Sequence, residues 1–289
     1  MASQVAGPLA PGTEQGIETP SGKGVGDENF PAASILIARR LRPQVLEFYG
    51  FARAADDIAD SPALSADEKL RRLDLFEAGL GAAATGPEPA VRLRDSLAET
   101  GISDAHARDL ISAFRQDAVK RRYADWGELM TCCALSAHPV GRFMLDLHGE
   151  AVATHGPGDA LCAALQVLNH LQDCGADRQT LNRVYLPANW MAEAEVTAVA
   201  LDAAASAPGL RRVLDRCLDG CDRLLERAEP LAGLVRSRRL AAEVAVIHCL
   251  ARRLATRLRR QDPLAQRVRP SKLDLAAAFG AGLVRLVRP

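Results

Sequence analysis

Two clusters of oxygen-bearing side chains hold the chemistry that this sequence can offer. The first closes the stretch Phe48-Tyr49-Gly50-Phe51-Ala52-Arg53-Ala54-Ala55-Asp56-Asp57-Ile58-Ala59-Asp60. At ~100° per helical residue, Asp56 and Asp60 fall about 40° apart on one face, with Arg53 and Tyr49 one and two turns earlier. Carboxylates this crowded repel one another and sit badly near a helix C-terminus, so something cationic should compensate them. The second cluster is Asn169, Asp173 and Asp177, spaced i, i+4, i+8 along one helical ridge. Magnesium suits both, because it binds through one or two carboxylates and keeps water and phosphate oxygens in the rest of its shell. Alone, the first cluster reads equally well as a solvated acidic helix end, and the second reads better as an N-capping or surface stripe. Two of them in one chain, with Arg53, Arg178 and Arg183 close by, point to several Mg²⁺ ions around a diphosphate.

Helices must carry these clusters. The chain is rich in Ala, Leu and Arg and almost without β-branched alternation. Helices are expected over residues 33–36, 43–59, 66–80, 87–99, 103–118, 125–147, 159–174, 192–204, 210–228, 232–260 and 272–287, broken at Pro and Gly clusters such as His155-Gly156-Pro157-Gly158. Pro139 should kink or break the helix over 125–147, and Gly141 then permits close approach to a ligand or another helix. Residues 1–27 read as a disordered leader, since six Gly and three Pro before Pro31 leave too little apolar surface to offset ordering entropy. Residues 28–289 read as one all-α domain.

Composition narrows the function. Of the 289 residues, 48% are hydrophobic and 25% charged, which fits an ordinary globular protein. Lys plus Arg balance Asp plus Glu at 36 each, yet residues 231–289 hold thirteen basic and three acidic residues. That basic end is either a set of solvated arginines or a surface for an anionic ligand or membrane. The uncharged run Leu275–Val284 is too short to span a bilayer; it either packs as a last core helix, the favoured reading, or lies in the interface. Seven Cys without a C-x-x-C pair suggest reduced, mostly buried thiols in a cytosolic protein. His170 points about 100° away from Asn169, so packing or solvent is expected of it rather than ligation. No Gly-rich nucleotide loop is present, and no nucleic-acid partner is implied. Oligomeric state has no signature in the sequence.

The paired motifs resemble those of the squalene and phytoene synthases, over about residues 29–269. The resemblance implies a single-domain, all-α isoprenoid-synthase bundle with a central cavity and a lipidic prenyl diphosphate as substrate. It implies that Asp56, Asp57 and Asp60 form a first Mg²⁺–diphosphate motif and that Asn169, Asp173 and Asp177 form a second. Tyr49, Arg53, Arg183 and Arg267 would bind the diphosphate, and Gln166 would line the cavity. Phe48, Phe51, Val140 and Gly141 are further expected wall residues, and Ser136 could hold a water near the reacting carbon. Within the family, Glu28-Asn29-Phe30-Pro31, Ser136-Ala137-His138-Pro139-Val140-Gly141-Arg142 and Asn169-His170-Leu171-Gln172-Asp173 look most like the hydroxysqualene-forming branch of hopanoid pathways. That branch would ionise presqualene diphosphate and capture the cation with water. The rival readings are a synthase condensing two prenyl diphosphates, which shares every metal residue, and a non-catalytic isoprenoid-binding subunit. A cytoplasmic location, with contact at the inner face of the membrane, follows from such a substrate.

Deleting residues 1–25 should leave the melting temperature and turnover nearly unchanged, because that stretch has little core to contribute. Thermal denaturation of the truncated chain tests this, and a large loss would show that the segment docks on the bundle.

Overall fold

The computed structural model describes residues 37–81 and 85–287. Over these the chain forms one all-α bundle. The helices are α1 (Arg42–Asp60), α2 (Ala66–Gly79), α3 (Glu88–Thr100), α4 (Ala105–Val119), α5 (Trp126–Ser136), α6 (His138–Leu147), α7 (His155–Gln172), α8 (Cys174–Leu181), α9 (Ala188–Glu193), α10 (Pro208–Ala228), α11 (Leu231–Leu234), α12 (Arg238–Arg260) and α13 (Lys272–Val287). No strand occurs among the described residues, only an isolated bridge between Arg122 and Val184. The disordered segment expected over 1–27, the helix expected over 33–36 and the Glu28–Pro31 stretch lie outside the described residues.

Local chemistry explains most helix ends. Pro43 sits in the first turn of α1, where its fixed φ suits the helix and no hydrogen bond is lost. Ser65 accepts from the Glu68 amide at 3.3 Å and opens α2 with an S-x-x-E capping pattern. Asp125 and Ser237 cap α5 and α12 in the same way, accepting from the amides of Glu128 (2.9 Å) and Leu240 (3.4 Å).

Several expected boundaries move. The helix over 125–147 is two helices, because Pro139 starts α6 in its first turn rather than bending one long rod. His155-Gly156-Pro157-Gly158 is not a break but the first turn of α7, the one place in a helix where proline costs nothing. The expected helix over 192–204 is absent. In its place α9 ends at Glu193, Glu195 adopts φ 57°, and a 3₁₀ turn covers Ala198–Asp202. The helix over 232–260 splits into α11 and α12 at the extended Val235 and the capping Ser237. Residues 272–287 form α13 as expected.

Two large apolar cores share the bundle, with a small third one between α12 and α13. One joins α1 to α4 with Phe143 and Leu147 of α6, and the other joins α5 and α7 to α12. Helices α6 and α7 meet at Gly141, where a Cβ would stand 2.5 Å from Cys162 Sγ. Close approach to a helix, one of the two uses expected of this glycine, is therefore what it provides. Gly141→Ala should lower stability by about 1–3 kcal/mol through overpacking, and Cys162→Ala in the same chain should recover most of that loss. Thermal melts of the two single variants and the double variant measure the coupling.

Candidate functional site

Two helices build the site, and each changes character along its length. On α1, Val45, Tyr49, Ala52, Asp56 and Asp60 fall within about 80° of one another, a single stripe ~22 Å long. On α7 and its continuation, Gly158, Cys162, Leu165, Asn169 and Asp173 form an equivalent stripe. The first members of both stripes, Val45, Tyr49 and Ala52 with Gly158, Cys162 and Leu165, line one apolar cavity of about 370 Å³. The last members, Asp60 and Asp173, line a polar cleft of about 770 Å³ together with Asp177 and Arg267. Along both helices the early members of the stripe thus line the apolar cavity and the last member lines the acidic cleft, while Asp56 and Asn169, between them, line neither.

The second acidic motif does not lie on one unbroken helix. Asp173 adopts φ −104°, ψ 9° and joins α7 to α8. The amides of Asp173 and Asp177 nevertheless donate to the carbonyls four residues back, at 3.0 and 2.8 Å, so the i, i+4, i+8 register survives the joint. Asp60 closes α1 and Asp173 follows the last residue of α7. Asp60 thus stands at the negative end of the α1 dipole, whereas Asp173 lies between the C-terminus of α7 and the N-terminus of α8, whose partial charges oppose one another there.

The protein supplies part of the compensation. Arg53 pairs with Asp56 at 3.1 Å and with Asp57, which is buried and absent from the walls of both hollows. Arg183, only 3% exposed, reaches Asp60 at 2.9 Å and lies beside Asp117. Burial opposes its charge, but Tyr185, Asp117 and Asp60 keep the guanidinium firmly protonated. Lys69 donates to the Ala59 carbonyl at 2.7 Å and so caps the end of α1 from the side. The compensation is incomplete. Burial, followed by the charge of Asp60, pushes the Asp56 carboxyl up to about 7 against the pull of Arg53. Burial likewise raises Asp117 to about 6, despite Arg183. Burial is the first cause of both shifts, and the charge of Asp60 adds to each.

A stacked column fixes Arg183. His170 lies flat on Tyr185, ring centroids 3.4 Å apart, and Tyr123 also stacks on Tyr185, at 5.4 Å. The Tyr185 hydroxyl accepts from Arg183 at 3.1 Å. Burial, with help from Arg183, pulls His170 down to about 3, so it is a neutral packing residue, as the sequence suggested. Gln166, expected on the cavity wall, does not line the apolar cavity; its amide lies 3.3 Å from His170 Nε2. A second strut holds Arg267. The buried Gln172 amide donates to the Val268 carbonyl at 2.6 Å and ties the 262–271 loop to the second acidic motif.

The remaining expected wall residues divide. Phe48, Tyr49, Val140 and Gly141 line the apolar cavity, with Phe48 stacked on Phe143 at 4.0 Å. Phe51 does not. It is fully buried and tilted on Phe76 inside the α1–α4 core, because it lies on the flank of α1 that meets α2. Ser136 is half-buried at the end of α5, donates to the Cys132 carbonyl at 3.0 Å and is not on that wall. Asp117, Lys69 and the cavity-lining Glu243 escaped the sequence reading, since none has a local pattern to mark it.

A divalent cation fits this donor set in one manner only. Among the described residues no three His, Cys, Asp or Glu side chains converge on one point. An ion held here would take one or two carboxylates and complete its shell with water and phosphate oxygens, the habit of magnesium.

The sequence matches the squalene/phytoene synthase family over residues 24–274. It is 48% identical over 273 residues to a hydroxysqualene synthase of Rhodopseudomonas palustris, covering 94% of this chain and 93% of that one. It is 41% identical over 269 residues to a hydroxysqualene synthase of Zymomonas mobilis, covering 92% and 91% of the two chains. Among solved structures, squalene synthase HpnC from Alicyclobacillus acidocaldarius superposes with a TM-score of 0.71 at 29% identity, over 80% of this chain and 87% of that one. The chain belongs to the squalene/phytoene synthase family. It is an enzyme of that family, built on the isoprenoid-synthase helical fold.

The raised carboxyl of Asp56 has a consequence for pH. A carboxyl held above its ordinary value of 3.8 stabilises the fold while protonated, and that contribution is lost as pH rises through about 7. Asp56→Asn should therefore raise the melting temperature at pH 8 by about 2–4 °C. Mg²⁺ with inorganic diphosphate should raise the melting temperature of the unaltered chain more at pH 8 than at pH 5.5, and should do little for Asp56→Asn. Equal shifts at both pH values would remove Asp56 from the cation site.

Proposed function

We propose that this enzyme is a hydroxysqualene synthase, dependent on Mg²⁺, that ionises presqualene diphosphate and captures the resulting cation with water. The observation that carries the reading is the pair of stripes on α1 and α7, each passing from an apolar cavity into an acidic cleft. A prenyl diphosphate has the same polarity along its length. Its diphosphate belongs in the cleft and its hydrocarbon in the cavity.

Bound Mg²⁺ would neutralise the departing diphosphate and so favour breakage of the carbon–oxygen bond. Asp56, Asp60, Asn169, Asp173 and Asp177 are the residues that would hold it. Arg267 stands in the cleft to donate to phosphate oxygens, and Arg183 holds Asp60 in place from its buried position. Arg53 does the same for Asp56 and Asp57, so its part is to set the carboxylates rather than to reach a substrate first. These charges are arranged before substrate arrives, which is the form of electrostatic help that costs no reorganisation during the reaction. On the hydrocarbon side, Phe48, Tyr49 and aliphatic neighbours keep bulk water away while the cyclopropylcarbinyl cation rearranges. The Tyr49 and Phe48 rings can also shield the cation through their faces. Water then adds to the carbon and loses a proton, giving the alcohol and leaving diphosphate as the second product.

The identities of 41–48% to hydroxysqualene synthases, over nine-tenths of the chain, support this product over condensation of two prenyl diphosphates. Purified enzyme with Mg²⁺, presqualene diphosphate and ¹⁸O-water, without a reductant, should yield ¹⁸O-labelled hydroxysqualene. Unlabelled alcohol would mean cleavage at the phosphorus–oxygen bond. Consumption of farnesyl diphosphate with no consumption of presqualene diphosphate would make the enzyme a condensing synthase. Asp60→Ala, Asp173→Ala and Asp177→Ala should each reduce turnover about 100- to 1,000-fold while the helical circular dichroism is kept.

A further inference from the structure

The last helix is turned the wrong way round for a helix facing water. On α13 two of the three charged residues, Asp274 and Arg285, turn inward, and most of the large apolar ones face outward. Asp274 is buried, pairs with Arg253 at 3.1 Å and with Arg257, and accepts from the Ser271 hydroxyl at 2.7 Å. Arg285 bends back to donate twice to the Ala232 carbonyl, at 2.9 and 2.7 Å. The inner face seats Ala278 and Gly282 on α12 so closely that a Cβ on Gly282 would meet Val246 at 2.6 Å. The opposite face carries Leu273, Phe279, Leu283, Val284 and Val287, all between 52% and 80% exposed. Ala276 and Gly280 lie exposed between them, and Lys272 is the one charged residue of α13 that is exposed. Of the twelve large hydrophobic side chains exposed among the described residues, six belong to this one helix. A soluble surface scatters such residues singly.

Positive charge flanks this face. A groove of about 860 Å³ between α12 and α13 is lined by Arg252, Arg253, Arg257 and Arg260, against two acidic residues, Glu229 and Asp274. Asp274 is already committed to Arg253 and Arg257, which leaves Arg252 and Arg260, both exposed, to face outside partners. Val244 of α12 borders both this groove and the apolar cavity of the site. An apolar strip beside arginines, next to a groove that shares Val244 with the apolar cavity, matches a lipid surface bearing negative headgroups better than it matches another protein. No helix of the described residues is long and apolar enough to cross a bilayer, so the contact lies in the plane of the interface.

We propose that the outer face of α13, with Arg252 and Arg260, docks the enzyme on the surface of an anionic bilayer and presents the apolar cavity to the hydrocarbon from which a lipid substrate is drawn. The docking goes beyond the proposed reaction and does not depend on which prenyl diphosphate is used.

Co-flotation of the full chain with vesicles tests it. Binding to vesicles of phosphatidylcholine with about 30% phosphatidylglycerol should exceed binding to phosphatidylcholine alone at least about tenfold, and should weaken as salt is raised from about 0.05 to about 0.5 M. Phe279→Gln with Leu283→Gln should abolish the binding, and Arg252→Glu with Arg260→Glu should abolish only the preference for anionic lipid. Both pairs are exposed and outside the site, so turnover of detergent-dispersed substrate should stay within about twofold, which separates a failure of docking from a failure of the proposed reaction. Equal binding to both vesicle types, or binding to neither, overturns the proposal. So does a dimer by light scattering that Phe279→Gln with Leu283→Gln dissociates, since the face would then belong to a second copy of the chain.

Discussion

Negative charge gathered at the C-terminal ends of two helices constrains everything around it. Asp60 ends α1 and meets the partial negative charge of that helix as well as its acidic neighbours, and Asp173 follows α7 at the start of α8. A protein under pressure only for stability would remove such an arrangement. Here it is kept, and buried cations are placed around it. Arg183 is locked between Asp60, Asp117 and the Tyr185 hydroxyl, and Lys69 caps the frayed end of α1. Removing Arg183 would leave Asp60 and Asp117 without their buried cationic partner, and its side chain is supported in turn by a stack of three rings. The short-range supports exist because the electrostatic strain exists.

The same constraint explains why the cavity can stay apolar. Along the stripes of α1 and α7 that line the site, carboxylates come only after Ala52 and Leu165, and the earlier positions carry Val45, Tyr49, Gly158 and Cys162. A substrate with a charged head and a hydrocarbon body then meets one environment at each end without any loop having to close between them. Positioning depends on where along each helix the residue types change, and that point is set by the sequence register rather than by a lid.

Much of this was legible beforehand, and the part that was not has a physical reason. Periodicity located α1, α10, α12 and α13, and the spacing of Asp56, Asp60, Asn169, Asp173 and Asp177 placed each set on one ridge. Proline was ambiguous. In the first turn of α6 and of α7 it marks a beginning, and nothing in the letters separates that from a break inside a helix. Asp117 and Lys69 were invisible because their partners, Arg183 and the Ala59 carbonyl, are close only in space. Phe51 was misplaced for the same reason. It sits one turn from Phe48, yet the border between cavity wall and core runs between them.

The C-terminal helix shows how far composition can mislead. Read as letters, an uncharged run between Asp274 and Arg285 suits a core helix, and its inner face is one. What the letters conceal is that the two charged ends fold inward. Asp274 satisfies itself on Ser271, Arg253 and Arg257, and Arg285 on a main-chain carbonyl, so neither needs water. Once those groups are satisfied internally, nothing polar except Lys272 remains to pull the outer face of α13 into solvent. The hydrophobic side chains there are exposed because the helix has already spent its charges on anchoring itself. An apolar outer face therefore comes from the anchoring, and a bilayer is the environment in which that face carries no cost.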